Sequence, residues 1–131
     1  MLMYRKNSVE TSHLLTSWMN ETNFIAFDPT LIDAMLRHTG RFCFVQENGS
    51  TPQQAASAAL HQMEYVCPTL LMIHFVCSPE VSLADVTKAA DQLFNNRFSS
   101  TTGSWQMVLD ENLHRGETRL EILYTEDERQ E

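Results

Sequence analysis

The chain is 131 residues long and 43% apolar, the size of one domain and enough to bury a core of its own. Its 17 acidic residues against 9 basic leave a formal net charge of −8, which opposes a phosphate backbone and an anionic lipid surface, so nucleic acid and membrane are set aside as partners. No apolar run approaches the roughly 20 residues of a membrane span, and Met1 to Lys6 lack the apolar stretch of a secretory signal, so a cytoplasmic chain is expected.

The first periodic segment is His13 to Met19, where Leu14, Leu15, Trp18 and Met19 fall at helical spacing and form an apolar stripe that needs a partner. Asn23 to Phe27 interrupts the pattern. Asp28-Pro29 reads as a helix start, with Asp28 as cap and Pro29 in the first turn, and Ile32, Met35 and Leu36 supply an inward face that stops by Gly40. Arg41 to Gln46 reads as a strand and Glu47 to Ser50 as its exit turn.

Thr51-Pro52-Gln53-Gln54 is a strong helix start, with Thr51 as cap, Pro52 at the first position and Gln54 placed to close a capping box. The helix puts Ala55, Ala56, Ala59, Leu60 and Met63 on one side, mostly small residues that let it lie close to a sheet. Thr69 to Cys77 is nearly all apolar and reads as a central strand buried on both faces. Ser82 caps the next helix, Asp85 sits in its first turn, and Val86, Ala89, Ala90, Leu93 and Phe94 make its buried stripe. After the polar stretch Ser99 to Gly103, Trp105, Met107 and Leu109 alternate on one strand and Leu120, Ile122 and Tyr124 on another. The link Asp110 to Glu117 suits an antiparallel pair.

Chemistry is sparse along this frame. Cys43, Cys67 and Cys77 form no Cys-x-x-Cys pair and read as buried thiols of a reducing compartment, with only Cys77 near a helix start. His13, His38, His61, His74 and His114 include no i, i+4 pair and no cysteine at zinc spacing, so no metal site is expected. His74, Trp18 and Trp105 have core-forming settings. There is no nucleophile elbow and no phosphate-loop string, and the four glycines are not clustered.

The order of these segments and several strings in them resemble the C-terminal half of the FtsZ/tubulin-type cytoskeletal GTPases, entered from the end of the helix that joins that family's two halves. Asn23 to Leu36 is similar to the family's synergy loop and following helix, and Thr51 to Leu60 to its alanine-rich helix. Leu70 to Val76 with Ser78 to Val86 is similar to its strand, turn and next helix start, and Trp105 to Asp110 with Glu117 to Thr125 to its final antiparallel strands. The similarity covers nearly the whole chain.

The resemblance implies an α+β fold, a four-stranded mixed sheet covered by helices in the order α-α-β-α-β-α-β-β, with the last strand inserted antiparallel to its neighbours. It implies one domain over residues 1–131, in which 1–22 is the remnant of the connecting helix and 126–131 a frayed acidic tail. The family's nucleotide sits in the half that has no counterpart here, so neither an enzyme nor a bound cofactor is expected. In the family two acids of the synergy loop position the water that attacks the next subunit's nucleotide. Asp28 matches the first, but Leu31 stands at the second, and Asp33 is two residues away on another side of the helix. Asp28 reads first as a helix cap before Pro29, ahead of any role at a neighbour's nucleotide.

The expected function is therefore a non-catalytic interaction module that docks on or regulates an FtsZ-type filament in bacterial cell division. Its partner is an FtsZ/tubulin-like GTPase, met through Asn23, Asp28, Leu31 and Asp33. The stripe Leu14, Leu15, Trp18 and Met19, which in the family packs against the other half, offers a second interface and favours a homo-oligomer. The alternatives are a self-associating structural protein without a filament partner and, more weakly, a small enzyme whose site forms between subunits.

Overall fold

A computed structural model describes residues 2–6, 13–14, 16–18, 23–25, 29–38, 41–64, 66–96, 98 and 101–126. The frame is one mixed sheet of strands β1 (Leu2–Lys6), β2 (Asn23–Ile25), β3 (Arg41–Gly49), β4 (Leu70–Cys77), β5 (Thr102–Leu109) and β6 (Thr118–Glu126). Helices α1 (Pro29–Arg37), α2 (Pro52–Gln62) and α3 (Leu83–Asn96) pack on it, and residues 13–14 and 16–18 are also helical. The strand order is β1-β3-β6-β4-β5-β2.

The expected four-stranded mixed sheet is the middle of this arrangement. β4 and β5 run parallel, and β6 lies antiparallel between β3 and β4. Each edge carries one more strand: β1 pairs antiparallel with β3, and β2 meets β5 through Asn23 and Ile25. Leu2–Lys6 is thus a strand, where the family resemblance implied connecting helix, and among the described residues of that segment 13–14 and 16–18 keep the helical expectation. The long outer edge of β3 supplies a full ladder for five residues that have no helical periodicity of their own.

β5 and β6 do not pair with each other, contrary to the expected hairpin-like link. Asp110 to Glu117 instead carries the chain over the end of β4. The Asp110 amide donates to the Cys77 carbonyl at 2.8 Å, the Ser78 amide to the Glu117 carbonyl at 3.0 Å, and the Gly116 amide to Ser78 Oγ at 2.8 Å. Gly116 has φ 81°, a left-handed turn that a side chain would strain.

The helix starts follow the sequence. The Gln54 amide donates to Thr51 Oγ1 at 3.1 Å and the Asp85 amide to Ser82 Oγ at 3.1 Å, so both hydroxyls satisfy amides that the first helical turn leaves open. Gln54 reaches back one residue further than a capping box requires, accepting from the Ser50 amide at 3.2 Å and from the Ser50 hydroxyl. α2 and α3 cover one face of the sheet. Ala55, Ala56, Ala59, Val86, Ala89, Ala90 and Leu93 are buried there against Val45, Leu71, Ile73, Phe75, Leu120, Ile122 and Tyr124. Trp105 adds an edge-on ring contact to Phe75 at 5.9 Å. The expected central strand is confirmed: Leu71 to Cys77 are all buried, on both faces. Glu126, expected in a frayed tail, is the last residue of β6 and accepts from the Cys43 thiol at 3.4 Å, while 127–131 lie outside the described residues.

Candidate functional site

Of the residues singled out from the sequence, Leu14, Trp18 and Leu31 gather on the opposite face of the sheet, where α1 and the helical stretch around Trp18 lie. Leu31 and Met35 of α1 are buried one turn apart against Phe42, Phe44, Met72 and Leu123, with Leu14 and Ile32 partly covered at the rim. Trp18 belongs to the same cluster and is only 2% exposed. The expectation of an uncovered stripe is corrected for this residue: an indole that stacks on the sheet is core and cannot also be offered to a partner. Leu31 is likewise core, at 3% exposure. Leu15, Met19 and Asp28 lie outside the described residues, as does the helix stop at Gly40. Asn23 is a β2 residue in register with Val108.

The free side of α1 has its own pattern. Pro29, Asp33, Leu36 and Arg37 are exposed at positions i, i+4, i+7 and i+8, which is one helix face. Asp33 and Arg37 pair at 3.0 Å, both open to water, and Leu36 between them is 53% exposed. An exposed ion pair of this kind adds little stability. Leu36, expected to point inward, instead stands out because Leu31 and Met35 already set the buried side of a short helix.

Beneath Trp18 lies a polar row the sequence did not announce. Gln106 of β5, His74 of β4 and Glu121 of β6 are register partners, so one straight line across three strands holds all three. Gln106 and His74 are each 1% exposed. The Gln106 side-chain amide donates to the Trp18 carbonyl at 3.1 Å and to His74 Nδ1 at 3.2 Å. An amide nitrogen only donates, so Nδ1 is the acceptor and the His74 proton sits on Nε2, 3.8 Å from Glu121 Oε1. The Trp18 and His74 rings stack at 4.7 Å and 23°. Burial, reinforced by the charge of Arg119, lowers the His74 pKa from 6.5 to about 3. Arg119 lies 3.6 Å from the other oxygen of Glu121, Oε2, so a cation shares the carboxylate that faces the imidazole.

Burial raises the Cys77 thiol to about 11, so it stays protonated at neutral pH. Cys43 is buried too, whereas Cys67, expected inside, is exposed in the segment before β4. No group of three or more potential metal ligands occurs among the described residues. A surface pocket of about 380 Å³ opens elsewhere, between Asn48, Gly49 and Ser50 and the turn residues His114, Arg115 and Glu117. Glu117 is spent within its own turn, accepting from the His114 amide at 2.9 Å. No helix among the described residues is long and apolar enough to cross a membrane.

Neither a family model nor a curated protein sequence matches the chain. Solved structures do. A structure titled FtsZ dimer, empty, from M. jannaschii aligns with a TM-score of 0.72 at 18% identity, over 86% of this chain and 34% of that one. The FtsZ W319Y mutant from the same organism aligns with a TM-score of 0.72 at 16% identity, over 90% and 37%. The chain therefore spans about a third of the length of these FtsZ chains. The strand order, the inserted antiparallel β6 and these alignments agree on one conclusion: the chain has an FtsZ C-terminal-domain-like fold.

Proposed function

We propose that the chain is a non-catalytic FtsZ/tubulin-like interaction module that docks on an FtsZ-type filament and regulates its assembly in cell division. The observation that carries this reading is the FtsZ-like fold, held over 86% of the chain, in a sequence without a phosphate-binding loop. Two features support it. Leu31, at the position of the family's second acid, is apolar and buried, so a neighbour's nucleotide would meet no carboxylate there. The free side of α1, with Leu36 exposed between Asp33 and Arg37, combines an apolar contact with charges of both signs, the composition of a specific docking surface.

Light scattering of FtsZ polymerising with GTP tests the proposal. The chain at a fraction of the FtsZ concentration lowers or delays the signal, and Leu36→Glu with Asp33→Lys, both at exposed positions, removes the effect. An unchanged trace with the chain in excess overturns the reading. A second reading, self-association of this chain, draws on the dimer found for one of the aligned FtsZ structures. A concentration-dependent solution mass with no effect on FtsZ scattering would establish it in place of the first.

A further inference from the structure

One amide holds two acceptors in place on the second face of the sheet. Gln106 Nε2 donates at once to the carbonyl of Trp18 and to Nδ1 of His74. A proton arriving at Nδ1 changes both contacts. The imidazolium has a donor at each ring nitrogen, so Nδ1–H faces the Gln106 NH2, donor against donor. Turning the amide over offers its oxygen to His74, but the same turn brings that oxygen against the Trp18 carbonyl, acceptor against acceptor. Gln106 can serve Trp18 or a protonated His74, not both.

We infer that the helical stretch carrying Trp18 is a proton-sensitive cover on the sheet, docked over neutral His74 and released when His74 takes up a proton. The inference rests on the polar row alone and stands apart from the docking reading. The groups that face His74 fit it. From β6, Glu121 lies 3.8 Å away but is shared with Arg119, so it does not stabilise a buried imidazolium by itself. From β5 comes neutral Gln106. From α1 come Leu31 and Met35, which pack with Trp18 on this face, while its charged Asp33 and Arg37 are paired at the exposed side. From above comes the Trp18 ring, whose face attracts a cation but does not replace the water a charged ring loses on burial.

The direction with pH follows from linkage. The docked histidine has a pKa of about 3 and a solvated one 6.5, so the undocked state binds the proton more tightly. Docking is at full strength at neutral pH and weakens as the pH falls through the range between 6.5 and 3, where a more hydrated His74 takes up the proton before the docked one does. Mild acid therefore opens this face of the sheet while the α2 and α3 face, whose buried cluster is apolar, stays packed.

The chain has two tryptophans, and that gives the test an internal control. The indole Nε1–H signals of Trp18 and Trp105 are followed by ¹⁵N NMR from pH 7.5 to 3.5, alongside far-UV circular dichroism. The expected result is that the Trp18 signal moves to a solvent-exposed position while Trp105 and the dichroism hold, and that His74→Phe abolishes the movement. If His74→Phe does not fold, His74→Gln replaces it: with no imidazole to take up a proton, the Trp18 signal loses its dependence on pH. A Trp18 signal that stays fixed overturns the inference. So does one that moves only together with Trp105 and the dichroism, or one that moves equally in the variant that folds.

Discussion

Gly49 sits where β3 runs into the cap of α2, and a Cβ placed there would lie 2.5 Å from the Ala55 amide nitrogen and 2.9 Å from the Thr51 carbonyl. Both obstacles are backbone and cannot rotate away. Gly49→Ala is therefore expected to cost about 1–3 kcal/mol, by forcing the start of α2 off the strand, and chemical denaturation reads it. A wild-type midpoint would show that the helix has room to shift. Thiol chemistry checks burial at single residues as well. Cys67 is exposed, whereas Cys43 and Cys77 are buried and the Cys77 thiol is pushed up to about 11. At pH 8 a thiol reagent should label Cys67 quickly and the other two only on denaturation. Labelling of Cys77 at the rate of Cys67 would contradict the packing of α3 against β4.

At the scale of elements, β4 and α3 hold the first face of the sheet together. Ile73 and Leu93 are both fully buried in that cluster, so Ile73→Ala or Leu93→Ala should each cost about 2–5 kcal/mol. Losses below about 1 kcal/mol for both would mean that helix and strand do not meet as described. These two elements were legible in the sequence because burial leaves strong marks there. A strand covered on both faces is apolar at every position, and a capped helix on a sheet repeats its apolar residues every third and fourth place. β1 and β2 were not legible. An edge strand of five or three residues has too few positions for a period, and its ladder is supplied by a partner far away in the chain. The separation of β5 and β6 by β4 escaped for the same reason: strand order is a property of long-range pairing, which alternation along one strand does not encode. The polar row His74, Gln106 and Glu121 depends on that pairing, so its members looked unrelated until the register joined them.

The whole molecule is a two-faced layer with one face closed by α2 and α3 and the other by α1 and the stretch around Trp18. As proposed, it works without nucleotide. Millimolar GTP should then leave the melting temperature of the 131-residue chain unchanged, because a ligand at 100 times its Kd would add about 2.7 kcal/mol of stability. A GTP-dependent rise would overturn the non-catalytic reading at its root. The fold is proposed to bind an assembled FtsZ-type filament, and co-sedimentation measures that binding. FtsZ filaments formed with GTP are pelleted in the presence of the chain, with unassembled FtsZ kept with GDP as the control. The chain is expected to pellet in saturable proportion to the filaments, and Leu36→Glu with Asp33→Lys to leave it in the supernatant. A chain that stays in the supernatant at every filament concentration, while folded by circular dichroism, would contradict the account.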